Sequence, residues 1–397
     1  MRESEKNKMK GRDVYVIGAG MSSFGEHWDS SLRELIVDAA IKAIADSKIE
    51  GKQLQAVYGG CMASGLFAGQ EHVGALIADY LGLNPLPSTR LEAACASGSV
   101  AMRNGIMAIA SGFYDVVAVG GVEKMTDVST EMASTTLGGA GDEEWELFNG
   151  ATFPALYALM ARRHMLEYGT TEEQMAMVAV KNHANAAKNR YAQFQKEITI
   201  DTVMKSQYVA SPLKLFDCSP LTDGAAAVIL ASGDVAKKIC EKPIKLIASS
   251  QASDSLALAN RASFSSLRAT QIAAKEAFTQ AGIKSKDVDV AELHDCFTIA
   301  ELMAMEDLGF CEKGKSGKMV EAGQTKIGSD IPINTSGGLK GCGHPVGATG
   351  VKQIVEIAWQ LRGEATGRQV KNAEIGLTHN VGGSGATAVV HLLKKDF

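Results

Sequence analysis

The stretch SLRELIVDAAIKAIADSKIEGKQLQAVYGG, residues 31 to 60, returns 234 residues later as SSLRATQIAAKEAFTQAGIKSKDVDVAELH, residues 265 to 294. In the first copy Leu35, Ala39 and Ala43 fall at helical spacing and a short β-like run closes the segment, so it reads as a helix feeding a strand. The second copy repeats the plan without a gap: Ala39 and Ala40 fall on Ala273 and Ala274, Ala43 on Ala277, Ile49 on Ile283. Two Ala-rich helices agree by chance often enough that one pair proves little. Two further pairs in the same order decide the matter. CASGSVAMRNGIMAIASG (95 to 112) is answered by HPVGATGVKQIVEIAWQL (344 to 361), with Gly98 on Gly347 and Cys95 on His344, and DGAAAVILAS (223 to 232) is answered by SGATAVVHLL (384 to 393). The chain is an internal duplication.

Strands and helices alternate within each copy, the pattern of an α/β protein whose mixed sheets are covered by helices. The predicted architecture is two pseudo-twofold-related halves stacked through their helices. The first spans residues 12–121 and 217–237 and the second 238–397. An insertion, 122–216, is polar, Met-rich and helical in places, and reads as a cap or loop domain. Cys95 and His344 would start matching helices, so the pseudo-twofold predicts that they meet at the centre of the molecule.

A chain of 397 residues has room for about two domains. With 46% hydrophobic and 21% charged residues it has the composition of an ordinary globular protein. A net charge of −5, a pI near 6.0 and the lack of a basic stripe with interleaved aromatics argue against nucleic acid as a partner. The opening MRESEKNKMKGRD carries both signs of charge and no apolar core, so it reads as a short solvated tail rather than a targeting signal. The apolar run IMAIASGFYDVVAVGG is cut by Asp115 and falls short of the roughly 20 residues a membrane span needs. Seven cysteines, an odd number without close pairs, point to free thiols in a reducing compartment, the cytoplasm by default.

Several motifs compete for a chemical role. In VIGAGMSSFG (16 to 25) a strand runs into Gly18-x-Gly20, but Ser23 stands where a dinucleotide fingerprint needs its third glycine and no phosphate-binding lysine follows, so a plain turn is the expectation. Cys95 precedes a helix among small residues; first-turn amides would lower its thiol pKa and make it a nucleophile, against the commoner fate of an inert buried cysteine. In GLKGCGHPVGATG (338 to 350), His344 is framed by Gly343 and Pro345 and reads as catalytic. His294, Asp295 and Cys296 sit side by side between a strand and a helix. A zinc site drawn from His294, Cys296, Cys311, Cys342 and His344 has the right residue types but no local C-x2-C pair, so no metal is expected.

CASGS, DCSPLTDGAAAVIL, HDCF, GHPVGATG and HNVGGSG occur in the order seen in the thiolase superfamily, and the resemblance covers essentially the whole chain. It is strongest to the branch joining archaeal acetyl-CoA acetyltransferases with the sterol-carrier-protein type of thiolase, where HDCF replaces the NEAF of most thiolases. The resemblance implies a layered αβαβα fold and a reversible Claisen condensation of two acetyl-CoA to acetoacetyl-CoA and CoA. It assigns Cys95 the acyl group, His344 its activation, and His294 an oxyanion hole, with a second hole from the amides of Cys95 and Gly382. Most thiolases carry a second cysteine in a C-x-G motif, where this chain has Asn380; Cys296 is the natural substitute as the acid and base of the carbon–carbon step. Ser219 matches a serine that touches pantetheine. Asp295 is expected to orient its loop by accepting backbone amides, and His379 receives no role. No metal or redox cofactor is implied.

The resemblance also implies a homodimer or dimer of dimers, the first sheet's edge strand pairing across a twofold, and a place in the mevalonate pathway beside hydroxymethylglutaryl-CoA synthase and a small OB-fold scaffold protein. Two alternatives remain at the level of sequence. A decarboxylating ketoacyl synthase of the same superfamily would use one cysteine and two histidines. A catalytically silent acyl-CoA-binding homologue would explain the missing C-x-G thiol.

Overall fold

A computed structural model describes residues 11–397; the solvated-tail reading falls almost wholly on residues 1–10, outside the described residues. The first repeat helix, Leu32–Ser47, starts where Ser31 and Glu34 form a reciprocal capping box, and it stops at Lys48 in the left-handed region (φ 58°). It buries Leu35, Ile36, Ala39, Ala40 and Ala43. Its counterpart, Arg268–Ala281, buries Ala269, Thr270, Ala273, Ala274 and Ala277, the same five positions at the 234-residue offset. The duplication is therefore a duplication of buried faces.

The strands are β1 Val14–Met21, β2 Ala56–Gly60, β3 Ser88–Leu91, β4 Val116–Glu123, β5 Tyr208–Ala210, β6 Leu213–Lys214, β7 Gly224–Ser232, β8 Ile244–Ser253, β9 Val290–Glu292, β10 Ile375–Gly382 and β11 Thr387–Lys395. Nine form one sheet in the order β3-β2-β4-β7-β1-β8-β11-β10-β9, and β5 with β6 makes a small hairpin in the insertion. Split at its middle, the sheet shows the repeat. In the first half β2 and β4 are parallel, β4 and β7 antiparallel, β7 and β1 antiparallel. In the second, β9 and β10 are parallel, β10 and β11 antiparallel, β11 and β8 antiparallel. The counterpart of β3 has shrunk to a single bridge between Ala291 and Ile333. The halves join edge to edge where Val14–Val16 pairs with Ile244–Leu246.

They also stack through helices, as expected. Helix Ser97–Ala110 and helix Thr349–Arg362 come so close that a methyl group on Gly98 would lie 2.7 Å from the Gly347 carbonyl oxygen and 3.2 Å from the Gly350 nitrogen. The sequence register of this pair needs correction. The second helix opens three residues later than the Cys95-on-His344 alignment places it, because Gly343 (φ 113°) and Pro345 hold the preceding loop extended. Gly98 faces Gly350 across the contact, and His344 stands further ahead of its helix than Cys95 does of its own.

The turn expected at Gly18 and Gly20 is instead the interior of β1. A Cβ on Gly20 would meet the Ala43 nitrogen at 2.5 Å and one on Gly18 the Ser47 Cβ at 2.6 Å, so these glycines let the first repeat helix settle on the sheet. The insertion leaves the sheet after Glu123 and returns at Gly224. Its helix Glu172–Ala186 is built into the second half: Lys181 Nζ donates to the Ile333 carbonyl (2.9 Å) and Asn185 Nδ2 to the Asn334 carbonyl (3.0 Å). Among the described residues no helix is long and apolar enough to cross a membrane.

Candidate active site

Between β3 and the helix at Ser97 the chain turns sharply, with Ala94 at φ 52°, a conformation that costs a non-glycine residue on the order of 1 kcal/mol. Local bonds hold the turn. Glu92 accepts the Ala94 amide (2.5 Å), and Ser97 Oγ accepts the Ala93 amide (3.0 Å) while donating to the Ala94 carbonyl (2.6 Å). Cys95 is thereby placed on the wall of a cavity of about 390 Å³, shared with Cys296, His344, Tyr157, Ser219 and Gly383. Leu137, Phe153, Phe297 and Val346 make the rest of that wall largely apolar.

His344 reaches the same cavity from the extended loop before its helix. Its amide donates to Thr222 Oγ1 (2.9 Å). Its Nδ1 lies 2.7 Å from Thr349 Oγ1, and the Thr349 hydroxyl donates to the Pro345 carbonyl at 3.0 Å. The hydroxyl proton is thus committed, so Thr349 accepts from Nδ1–H and Nε2 is left with a bare lone pair. Nε2 is buried without a hydrogen-bond partner. His294, at the end of β9, packs its ring edge to face on His344, with centroids 5.1 Å apart and planes at 81°. Its Nδ1 is 2.9 Å from Asn380 Nδ2, and its Nε2 is likewise buried and unpartnered. The Cys95 sulfur and one nitrogen of each ring all lie within 4.8 Å of one another. This is the trio the structure brings together; Cys296, Cys311 and Cys342 of the five-residue zinc set are not part of it.

Cys296, 6% exposed, lies against the hydroxyl of Tyr157, whose single proton can go either to the Cys296 sulfur or to the Gly383 carbonyl oxygen 3.2 Å away. The Ser219 amide donates to the Cys296 carbonyl (2.9 Å), tying the loop that lines the cavity to the HDCF turn of the second half. Asp295 points away from the cavity and accepts the amides of Leu339 (2.7 Å) and Lys340 (3.2 Å) together with Asn182 Nδ2 (2.7 Å). It orients the loop, as expected from sequence. His379 projects from the opposite face of β10 to Asn380 and pairs with Thr270 Oγ1 (2.8 Å). Gly382 ends β10 beside Ala93, with no room for a Cβ. The amide favouring the Cys95 thiolate, besides that of Cys95 itself, is the one from Gly383.

Electrostatics depart from the sequence reading. Burial pushes the Cys95 thiol up to about 12, outweighing the amides of Gly383 and Cys95 that favour the thiolate. Burial likewise pulls His344 down to about 3, helped by the Lys352 charge, and holds His294 well below the ordinary imidazole range. The expected lowering of the thiol fails because Cys95 is buried, and desolvation exceeds what a few amides supply. The resting pair is a neutral thiol beside a neutral imidazole. Cys296 is raised well above the ordinary thiol range by burial first and by the Cys95 charge second, while Tyr157 pulls it down.

Tyr157, Thr349, Asn380 and Gly383 are the site residues that sequence reasoning did not assign a role. Only Asn380 had been noticed, as the place of a missing thiol.

Comparison with known proteins agrees with this geometry. The model of the thiolase N-terminal domain matches residues 14–234 and that of the thiolase C-terminal domain-like family residues 250–395. The chain is 54% identical over 384 residues to an acetyl-CoA acetyltransferase of Methanothermobacter thermautotrophicus, covering 97% of this chain and 100% of that one. It is 35% identical to sterol carrier protein 2 of Gallus gallus, covering 95% of this chain and 71% of the relative. Among solved structures, the Ltp2-ChsH2(DUF35) aldolase superposes with a TM-score of 0.84 at 25% identity, with 98% of both chains covered. Two family models that together span nearly all of the described residues, over a duplicated fold with a cysteine and two histidines at its centre, make this chain a member of the thiolase family.

Proposed function

We propose that the protein joins two molecules of acetyl-CoA into acetoacetyl-CoA and CoA, reversibly, through an acetyl group carried on Cys95. The observation that carries this reading is the pairing of a bare His344 Nε2 with the Cys95 thiol in a cavity that holds a second thiol, Cys296. The 54% identical relative named for this activity supports the choice of acetyl-CoA.

In the first half-reaction the Cys95 sulfur attacks the thioester carbonyl while its proton passes to His344 Nε2. Amides of Cys95 and Gly383 favour negative charge on the sulfur, and the amides of Cys95 and Gly382 would hold the tetrahedral oxyanion. The carbon–sulfur bond to CoA breaks, and the departing thiolate takes the proton back from His344. In the second, the Cys296 proton moves to His344 and the Cys296 thiolate removes a proton from the α-carbon of a second acetyl-CoA, whose enolate oxygen is held by His294 Nε2–H. The enolate attacks the acetyl carbon on Cys95, and the Cys95 thiolate leaves to recover the proton from His344. Only protons and an acetyl group move, so the scheme calls for no redox or metal cofactor.

Ser219 on the cavity wall would touch the pantetheine arm of CoA. The free edge of β3 would pair with a second copy in a homodimer, and two such dimers could associate further. The reading extends to a partnership with hydroxymethylglutaryl-CoA synthase through a small OB-fold scaffold protein; one structural relative, the Ltp2-ChsH2(DUF35) aldolase, is itself named as two components. The test is direct: with radioactive acetyl-CoA the protein should carry label as a thioester on Cys95 and release acetoacetyl-CoA. Malonyl-CoA required in place of the second acetyl-CoA would instead indicate a decarboxylating synthase, and binding without label a silent homologue.

A further inference from the structure

We infer that Asn380 sets the tautomer of His294, and in doing so keeps the centre a binder of carbonyl oxygen rather than of a metal ion. The inference rests on the proposed condensation and deepens it.

The two histidines of the site are alike in burial and in having a free Nε2, yet condensation needs them to do opposite things. His344 must take a proton at Nε2, and His294 must present one. Nothing in an imidazole ring makes that choice; the partner at Nδ1 does. At His344 the partner is Thr349, whose hydroxyl proton is committed to the Pro345 carbonyl, so it accepts and Nδ1 carries the hydrogen. At His294 the partner is the Asn380 side-chain nitrogen at 2.9 Å, which can only donate. Nδ1 must then be the acceptor, and the ring proton is forced onto Nε2, the atom buried without a partner. Both Asn380 and His294 are essentially unexposed.

This choice matters because the donor set is otherwise one a metal would take. A thiol and two imidazoles whose ligand atoms lie within 4.8 Å of one another resemble a Cys-His-His zinc site. A metal needs a lone pair at Nε2 of both rings. Asn380 denies it one of them, since freeing the His294 lone pair would move the proton to Nδ1, against the amide N–H. Asn380 is a positioning residue that acts through His294.

The test uses Asn380→Asp in the full-length protein. A carboxylate accepts, so it would pull the His294 proton to Nδ1 and expose the lone pair; a protonated carboxyl still donates. Condensation by the variant should therefore fall by about 10²- to 10³-fold above the carboxyl's pKa, the usual scale for a lost oxyanion donor, and recover as the pH is lowered through it. Wild type should lack that limb. Labelling of Cys95 by acetyl-CoA should persist, and Zn²⁺ should bind at least about tenfold tighter than to wild type by titration calorimetry, reversibly with EDTA. Nitrogen-15 NMR of wild-type His294 should show a protonated Nε2 and an acceptor Nδ1, and this readout needs no variant. A proton on Nδ1 in wild type, or Asn380→Asp condensing at the wild-type rate at every pH, would overturn the inference. Failure of wild type to form acetyl-Cys95 would instead count against the reaction itself.

Discussion

Replacing Cys296 by serine separates the two half-reactions. The substitution moves little: the residue is 6% exposed, its carbonyl is held by the Ser219 amide, and the neighbouring Asp295 is anchored by the Leu339 and Lys340 amides. A hydroxyl is slightly smaller than a thiol and keeps a hydrogen-bond partner in Tyr157. Acylation needs Cys95 and His344, whose trio with His294 does not include Cys296. It should stay within about tenfold of wild type, since no transition-state contact of that step is removed. The carbon–carbon step loses its base. A positioned acid or base contributes about 10²- to 10⁴-fold, equivalent to about 2.7 to 5.4 kcal/mol at 1.36 kcal/mol per tenfold. Serine cannot recover that, because a hydroxyl is a far weaker acid than a thiol. The assay follows acetyl label on Cys95 after rapid mixing with acetyl-CoA, and acetoacetyl-CoA thiolysis in parallel. Labelled enzyme should accumulate while condensation and thiolysis fall together. Normal rates in both directions would refute the assignment and send the search for the base elsewhere in the cavity.

Three further outcomes are expected. Tyr157→Phe removes a bond that favours the Cys296 thiolate, so the pH profile of condensation should move to higher pH while Cys95 acetylation keeps its own profile; coincident shifts in both would point to a general disturbance of the cavity. Gly98→Ala places a methyl group 2.7 Å from the Gly347 carbonyl and should destabilise the fold by about 1–3 kcal/mol in urea titration, as overpacking usually does. Glu306 is pushed up by burial but pulled further down, to about 2, by His164 (3.0 Å) and Ser316 (2.6 Å). Its folded pKa is below its unfolded one, so it contributes stability above about pH 4.5 that is lost as pH falls toward 2. The stake is on the order of 3 kcal/mol, and Glu306→Gln should flatten that stretch of the stability curve.

The duplication was legible because burial writes itself into sequence. The five buried positions of the first repeat helix recur at the 234-residue offset, since both helices lie on equivalent strands. The second pair misled by three residues for a physical reason: Gly98 matched Gly347 because both lie at the crowded crossing, and small residues there are interchangeable as text but not in space. Cys95 and His344 stand out in the sequence because each lies among small residues ahead of a helix, whereas His294 and Cys296 take their expected roles from the family resemblance of HDCF. Tyr157 was not, because a tyrosine at helical spacing in an insertion looks like core until the insertion's fold is known. The hydrogen bond between Asn380 and His294 joins residues 86 positions apart and leaves no periodic trace. The direction of the thiol's pKa was misjudged because burial of a side chain is a property of the whole fold, whereas helix amides are visible locally.

The two ends of the long sheet are treated differently. Beyond β9 the strand position is reduced to the Ile333 bridge, and the carbonyls of Ile333 and Asn334 are taken by Lys181 and Asn185 from the insertion. At the other end β3 has no strand beyond it among the described residues. A sheet with two sticky ends can grow without limit, whereas a sheet with one can be extended once. If a twofold-related copy pairs along β3, as proposed above, the composite sheet would present two capped ends and nothing further to pair. In that assembly the insertion that shapes the cavity would also be a chain terminator, and stripping Lys181 and Asn185 of their side chains would be expected to turn a closed pair into a precursor of fibres.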